Sequence, residues 1–318
     1  MMRKQIQWRP VIVIFLTILI VVPLTWAVNQ YITFQETLEK ITKPVEHELE
    51  LATANDDISS TAPLIDEQTD ELRPFSVLLL GVDERDNDVG RSDTMIVLTV
   101  NPHVGTIKML SIPRDTRTEI VGHGTVEKIN HAYAHGGVSM ALSTVEHFLQ
   151  MPIDFYVKVN MEGFLTLIDT FGGVEVDNDL ALTYRNYHFP KGHITLNGDE
   201  ALVFSRIRYE DPRGDFGRQT RQRLLLQAVL AEAKNPTTLV TKLDNMFEVL
   251  GNNVHMNVTS TQLQELIMRY NDFNQHIEQI QLEKGHGQTI DELWYYIADD
   301  VEVMQVSRKL QQHLAETL

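Results

Sequence analysis

The sequence predicts an α/β protein: a three-layer α-β-α domain around a mixed β-sheet, preceded by one N-terminal transmembrane helix. Three observations carry this. An uncharged run from Val11 to Val28 follows Arg3, Lys4 and Arg9. Between Phe75 and Ala233, short apolar, β-branched runs alternate with segments of helical spacing. The 318 residues suit one large domain plus an appendage, or two small domains, and 43% hydrophobic residues are enough for a sizeable core. Cysteine is absent, which excludes a disulfide framework and thiol chemistry.

The N-terminus is read first. At about 1.5 Å per residue, residues 11–28 span roughly 27 Å, close to a hydrocarbon core of about 30 Å. Pro23 is tolerated in such a helix, and Trp8, Trp26 and Tyr31 sit where interfacial aromatics belong. Basic residues before the run and acidic ones after it place residues 1–10 in the cytoplasm and the bulk of the chain outside. A cleaved signal peptide is the competing reading. The run is long for a signal core, however, and Trp26-Ala27-Val28-Asn29 is a poor small-residue cleavage site. Residues 29–73 read as an acidic tether: eleven Asp or Glu fall between Glu36 and Glu71, against Lys40 and Lys43. Part of Phe34–Leu51 can be helical.

A core of residues 74–235 follows. Phe75–Leu80, ending at Gly81, fits a strand buried on both faces. Thr94–Val100, stopped by Asn101-Pro102, and Gly105–Ile112 read as a hairpin. Gly137–Gln150 has helical spacing, Phe155–Val159 reads as a strand, Gly163–Thr170 as a helix and Gly173–Val176 as a short strand. Asn197 is an N-cap candidate for a helix to Phe204. Residues 236–318 read as mainly helical (Leu239–Leu250, Thr261–Tyr270, Asp299–Leu314), with an edge strand at Gln279–Leu282, packing on the core.

The chemistry concentrates in Ser205–Gln222, which holds Arg206, Arg208, Arg213, Arg218 and Arg221 in a chain of formal net charge −17. Guanidinium presents a rigid fork of donors that matches phosphate oxygens. The plain alternative is a solvated loop whose arginines pair with Glu210, Asp211 and Asp215. Spacing favours the anion clamp. A helix starting near Gly217 sets Arg218, Arg221 and Gln222 on one face at a positive helix terminus. Arg206 and Arg208 share a side if the backbone there is extended. Upstream, Asp83 follows one strand and Asp93 opens the next, beside Arg85 and Arg91. If those strands are neighbours, the two carboxylates converge on one hard cation such as Mg²⁺, although turn and cap roles serve either residue equally well. Arg114 and Asp115 follow a strand, and Lys128 leads to Asn130, His131 and Tyr133. These basic groups fall at strand ends and helix starts, where α/β folds place ligands.

Other motifs are set aside. His131 and His135 stand four apart, but Gly136-Gly137 ends any helix there and no third zinc ligand follows the pattern. There is no Gly-x-Ser-x-Gly elbow and no phosphate-loop motif. The acidic total and the external address disfavour nucleic acid.

Taken together, "LLLGVDERDNDVGRSDTMIVLTV", "LSIPRDTRTEI", "KINHAYAHGG", "VNMEGF", "DTFGGVEV", "LNGDEALVFSRIR" and "DPRGDFGRQTRQR" resemble the LytR-CpsA-Psr family. The resemblance covers about Phe75 to Leu230 plus the anchor. It implies a cell-membrane protein of a Gram-positive bacterium, single-pass and type II, with its catalytic domain outside. The implied reaction moves a teichoic acid-like glycopolymer from a polyprenyl-diphosphate carrier to peptidoglycan as a phosphodiester. It implies metal binding by Asp83 and Asp93, with Mg²⁺ or, in its place, Mn²⁺. Diphosphate contacts are implied for Arg91, Arg114, Arg206, Arg208 and Arg218, and further head-group contacts for Lys128 and Gln222. Asp215 orients an arginine in this picture. Arg85, Arg213 and Arg221 are left between the head-group site, its supporting groups and the surface. An apolar slot for the isoprenoid tail is implied too. Asp83, Asp93 and Asp115 all remain open as the general base. Two other functions fit the same residues: a polyprenyl-diphosphate hydrolase with water as acceptor, and a non-catalytic lipid-head-group sensor.

Overall fold

The computed structural model describes residues 8–43, 64–65, 72–84, 88–233, 236–269 and 276–317. Within these, the side chains of 8–23, 236–241, 243–244 and 267–268 are not described. The expectations for residues 1–7, for most of the acidic tether and for Arg85 therefore lie outside the described residues.

Helix α1 (Trp8–Ile41) runs through the apolar segment 11–28 and beyond it. Among the described residues no helix is long and apolar enough to cross a membrane. The far end of α1 departs from a solvated spacer. Leu38 and Ile41 are buried against Val254, and Phe34 packs on Phe247 at 5.6 Å between ring centroids. The spacing Phe34, Leu38, Ile41 puts three large apolar groups on one helical stripe, which the domain covers.

Next come β1 (Phe75–Val82), β2 (Ser92–Asn101) and β3 (Thr106–Ser111). The small hairpin β4 (Arg117–Ile120) and β5 (Thr125–Lys128) follows, then α2 (His131–Leu149) and β6 (Phe155–Asn160). β1 pairs antiparallel with β2, Phe75 facing Val100, and parallel with β6. β2 and β3 form the expected hairpin. Alternation along β1 feeds two cores. Leu78, Leu80 and Val82 face α2 and the C-terminal helix, while Phe75, Val77 and Leu79 face the opposite layer with Leu64, Phe155 and Leu263. Burying each leucine contributes roughly 1.5–3 kcal/mol. This two-sided burial is why β1 reads as a continuous apolar run. At the start of β1, the Asp154 carboxylate accepts hydrogen bonds from Ser76 N (2.8 Å) and Ser76 Oγ (2.9 Å), locking the β1/β6 register.

α2 begins six residues earlier than the spacing of Gly137–Gln150 predicts. Its first turn, His131–His135, is separated from the rest by non-helical Gly136 and Gly137, the latter at φ 64°. The Gly-Gly pair ends that first turn, as expected, and the longer helix begins after it.

A second core lies in α3 (Met161–Phe171), β7 (Val174–Asn178), β8 (Leu182–Tyr184), β9 (Tyr187–Phe189), β10 (Gly192–Leu196), α4 (Gly198–Arg206) and α5 (Asp215–Ala233). Ile168, Val176, Phe189, Phe204 and Leu225 meet there. Asn197 and Glu200 form a reciprocal capping box that starts α4. The C-terminal stretch supplies α6 (Pro236–Asn253), α7 (Ser260–Arg269) and α8 (Asp300–Ala315), but also four strands. β11 (Val254–Met256) and β12 (His276–Ile280) complete the six-stranded mixed sheet, in the order β11-β6-β1-β2-β3-β12. β13 (His286–Ile290) and β14 (Leu293–Ile297) form a separate hairpin.

Candidate functional site

The adjacency that the carboxylate pair requires is present. β1 and β2 are neighbours, with Gly81 opposite Thr94 and Val82 opposite Ser92, so Asp83 and Asp93 lie at the same end of the sheet. Gly90 packs directly against the backbone of Asp83. Its φ is +70°, and a Cβ there would stand 2.4 Å from the Asp83 carbonyl oxygen. Asp83 accepts from Arg206 Nη2 at 3.1 Å. Asp93 accepts from Arg114 Nη1 at 2.6 Å through Oδ2, and from Asn130 Nδ2 at 3.1 Å through Oδ1.

The pattern continues inward as alternating charge. Asp115, 5% exposed, lies 2.9 Å from Lys128 Nζ and 3.5 Å from Arg208 Nη1. Asp215 lies 2.8 Å from Arg218 Nη2 and 3.8 Å from Arg208 Nε, and accepts from Gln219 Nε2 at 2.9 Å. Asp215 thus pairs with two arginines. Burial would lower the Arg114 pKa, but Asp93, Asp115 and Asp215 outweigh it and the net direction is up. For Arg218, itself 5% exposed, burial prevails and the pKa is pushed down. Two guanidinium groups are incompletely matched: Arg114 Nε and Arg218 Nε are buried without a hydrogen-bond partner, as is Asn130 Oδ1. Asp215 Oδ1 is buried without one as well, so both donors and acceptors of this cluster are left over, a rare condition in folded proteins.

Two other arginines from the same stretch do something different. Arg221, expected to share a ligand-facing side with Arg218, is 1% exposed and turned into the second core. Its Nε donates to the Phe204 carbonyl (2.9 Å), its Nη1 to Asp211 Oδ2 (2.5 Å), and its Nη2 to the Ile207 carbonyl. Asp211 also takes Arg213 N, Nε and Nη2 at 2.9, 3.0 and 2.9 Å, and Arg213 continues to Asp179. Burial would raise the Asp211 pKa, but the hydrogen bonds from Arg213 and Arg221 bring it down to about 2. Gly217 serves this knot: a Cβ there would fall 1.9 Å from Asp211 Oδ2, so α5 starts at Asp215 and runs past the carboxylate through a glycine. Arg221 therefore has no guanidinium face to offer a ligand. Of the remaining expected residues, Arg91 is exposed beside Asp93. Gln222 is half-buried, and among the described residues no hydrogen bond ties it to the cluster.

Several participants are not signalled locally. The β13–β14 hairpin reaches the cluster from far downstream in the chain. Tyr296 N donates to the Asp115 carbonyl at 2.9 Å, and Trp294 faces Arg208 at 5.3 Å from ring centroid to Cζ. Tyr209 takes another face of Arg208 at 5.6 Å, and Tyr295 lies 5.8 Å from Lys128 Nζ. A cleft of about 470 Å³ opens here, lined by Asp115, Arg208, Asp215, Phe216, Trp294 and Tyr296 among others. Next to Asp83, Glu84 accepts hydrogen bonds from Tyr133 Oη and from Lys158 Nζ (2.9 Å). Burial would raise the Glu84 pKa, but Tyr133 and Lys158 overturn it and the net shift is downward. Arg114, Arg206, Arg208, Arg218 and Lys128 each lie within ion-pair distance of a carboxylate, beside a cleft that Arg208 lines, and two of the guanidinium groups are short of partners.

Known proteins share this sequence and fold. The LytR_cpsA_psr family model matches residues 28–312. The polyisoprenyl-teichoic acid–peptidoglycan teichoic acid transferase TagU of Bacillus subtilis (strain 168) is 49% identical over 241 residues, covering 76% of this chain and 78% of that protein. The crystal structure of B. subtilis TagU superposes with a TM-score of 0.63 over 77% of this chain and 99% of that one, at 45% identity. A protein of the same name from Bacillus anthracis is 40% identical over 317 residues, the full length of both chains. TagT, solved bound to LIIa-WTA, gives a TM-score of 0.63 at 31% identity over 77% of this chain and 92% of that one. By sequence and by fold, the chain belongs to the LytR_cpsA_psr family.

Proposed function

We propose that the chain is a membrane-anchored glycopolymer phosphotransferase. It moves a teichoic acid-like polymer from a polyprenyl-diphosphate carrier to a peptidoglycan hydroxyl, as the name of its TagU relatives describes for them. The supporting observation is the pair of buried, unpartnered donors, Arg114 Nε and Arg218 Nε, inside a ring of paired charges. A diphosphate supplies the missing acceptors. Residues 11–28 form the anchor in this reading, with 1–10 cytoplasmic, 29–73 linking to the domain outside, 74–235 the catalytic core and 236–318 packing on it and lending the cleft its aromatic wall.

In the transfer, the acceptor oxygen attacks the phosphorus next to the polymer. A new O–P bond forms, the bridging P–O bond breaks, polyprenyl phosphate leaves, and the hydroxyl proton passes to a carboxylate. Asp83, Asp93 and Asp115 are the candidates for that proton. Such chemistry asks the protein chiefly for position and charge. Arg114 and Arg218 grip the diphosphate, while Arg206, Arg208 and Lys128 neutralise the leaving phosphate. Arg91 guards the rim.

The donor set fits Mg²⁺ or Mn²⁺. Asp83, Asp93 and the orphaned Asn130 Oδ1 are hard oxygen ligands at one end of the sheet. Bound there, the ion would neutralise charge on the diphosphate.

The test is transfer from a synthetic polyprenyl-diphosphate sugar to peptidoglycan oligomers by the full chain in detergent, with and without Mg²⁺. Phosphodiester-linked product from the wild type, lost by about 10²–10³-fold in both Asp93→Ala and Arg218→Ala, is the expected result. Free sugar phosphate without linked product would make the chain a hydrolase. Lipid binding without turnover would make it a sensor.

A further inference from the structure

Away from the arginine cleft, the structure assembles a second set of ligating side chains that sequence spacing does not reveal. His123 sits at the tip of the β4–β5 hairpin, Glu127 on β5, and His131 and His135 on the first turn of α2. The tip reverses through Gly122 and Gly124, both at positive φ (80° and 77°), which carries His123 back over α2. The His123 and His135 rings stack with centroids 3.8 Å apart and planes 12° from parallel. His135 Nε2 lies 3.3 Å, and His131 Nδ1 2.8 Å, from Glu127 Oε2, while His123 Nδ1 is 3.9 Å from Glu127 Oε1. One ligand atom each from His123, Glu127 and His135 falls within 4.8 Å of the others.

We propose that His123, Glu127 and His135 form a Zn²⁺ site that fastens the tip of the β4–β5 hairpin to the first turn of α2. Two imidazoles and a carboxylate are a ligand set that zinc favours and Mg²⁺ does not, so this site and the Asp83/Asp93 pair take different ions. Tetrahedral zinc with bonds of about 2.0–2.1 Å brings its ligands to roughly 3.3 Å from one another. Reaching that spacing takes the His123 ring off its stack on His135 and off Thr125 Oγ1, 2.8 Å from its Nδ1, and the three residues are exposed or half-buried, so nothing in the core resists. Solvent takes the fourth position. His131 is the orienting partner: its Nδ1 on Glu127 fixes the carboxylate, as outer-shell hydrogen bonds do for metal ligands. Gly136 and Gly137 then acquire a reason. They end the first turn of α2, so His135 points back at the hairpin rather than along the helix.

The site bears on the cleft through the chain. Lys128 and Asn130, which pair with Asp115 and Asp93, lie between Glu127 and His131. A metal held by Glu127 and His135 spans that segment and holds those two side chains in place without touching substrate.

The experiment is calorimetric titration of the full, tag-free chain in detergent with ZnCl₂, in the presence of millimolar Mg²⁺. It is paired with Co²⁺ absorption as a geometric reporter. The expected result is one Zn²⁺ per chain that Mg²⁺ does not displace, and visible Co²⁺ bands of tetrahedral intensity. His123→Ala and His135→Ala should each weaken zinc by more than 100-fold, and His131→Phe by about 10–100-fold, the range for outer-shell partners. Thermal melting should rise with zinc in the wild type and stay flat in His123→Ala/His135→Ala. Equal zinc affinity in wild type and double variant, or only weak octahedral Co²⁺ bands, overturns the proposal. Circular dichroism of the variants separates lost ligation from lost folding.

Discussion

Arg218 and Arg221 stand one turn apart on α5, yet they belong to opposite kinds of region. Arg221 is matched on Nε, Nη1 and Nη2 by Phe204, Asp211 and Ile207, in a knot that also ties down Arg213. Arg218 is almost as buried, but it has one salt bridge, to Asp215, cationic neighbours in Arg114 and Arg208, and an Nε with no partner. The difference teaches that the count of arginines in a stretch does not identify a ligand site. What identifies it is incomplete pairing at high burial, which costs stability and is retained only where something else completes it.

The largest test of that contrast is a pair of isosteric deletions. Arg221→Met should cost on the order of 3–5 kcal/mol in denaturant unfolding, because it strands the buried Asp211 carboxylate and two carbonyls. Arg218→Met should cost no more than about 1 kcal/mol, since it removes a desolvated cation from among like charges. Similar losses in both would erase the distinction.

A smaller effect is expected from acid. The Asp211 pKa in the folded chain is about 2, below its ordinary value of 3.8, so the native state binds fewer protons than the unfolded chain. The knot's stabilisation is complete above about pH 4 and is lost as pH falls through 2, a change of about 2 kcal/mol. Asp211→Asn should flatten that part of the stability–pH curve, whereas Asp215→Asn should leave it in place.

The smallest effect concerns the aromatic wall. Trp294→Ala removes one cation–π face from Arg208, a contact of about 0.5–2 kcal/mol. It should raise KM for the lipid-linked donor by roughly 2- to 30-fold with kcat nearly unchanged. A fall in kcat instead would mean that Arg208 is positioned for the transition state rather than for binding.

How far these features are legible in sequence follows from how local their causes are. The sheet strands announce themselves because Phe75–Val82 and Ser92–Asn101 are buried on both faces and so lack polar alternation. β4–β5 and β8–β9 carry half-exposed polar residues and leave no such trace. Asp83, Asp93, Arg114, Arg208 and Arg218 are readable as a charged set at element ends. The inward turn of Arg221 is not, because it depends on where Phe204 and Asp211 end up. Trp294 and Tyr296 reach the cleft through a hairpin far along the chain. The His123–Glu127–His135 cluster escapes the pattern of a single helix because its ligands come from a loop, a strand and a helix. Spacing rules see one element at a time.

Under the proposed anchoring, the docking of α1 has a consequence for how the domain is held relative to the membrane. With residues 11–28 in the bilayer, the helix continues without a joint to Ile41, where Leu38 and Ile41 are seated in the domain. Val28 to Ile41 is then a post of about 20 Å, and each residue in it sets a rotation of about 100°. The direction in which the cleft opens is therefore keyed to the helical phase between anchor and domain. One residue added to the post turns the cleft by more than a quarter circle around the membrane normal, while seven added residues, about two turns, restore its heading and raise it by about 10 Å.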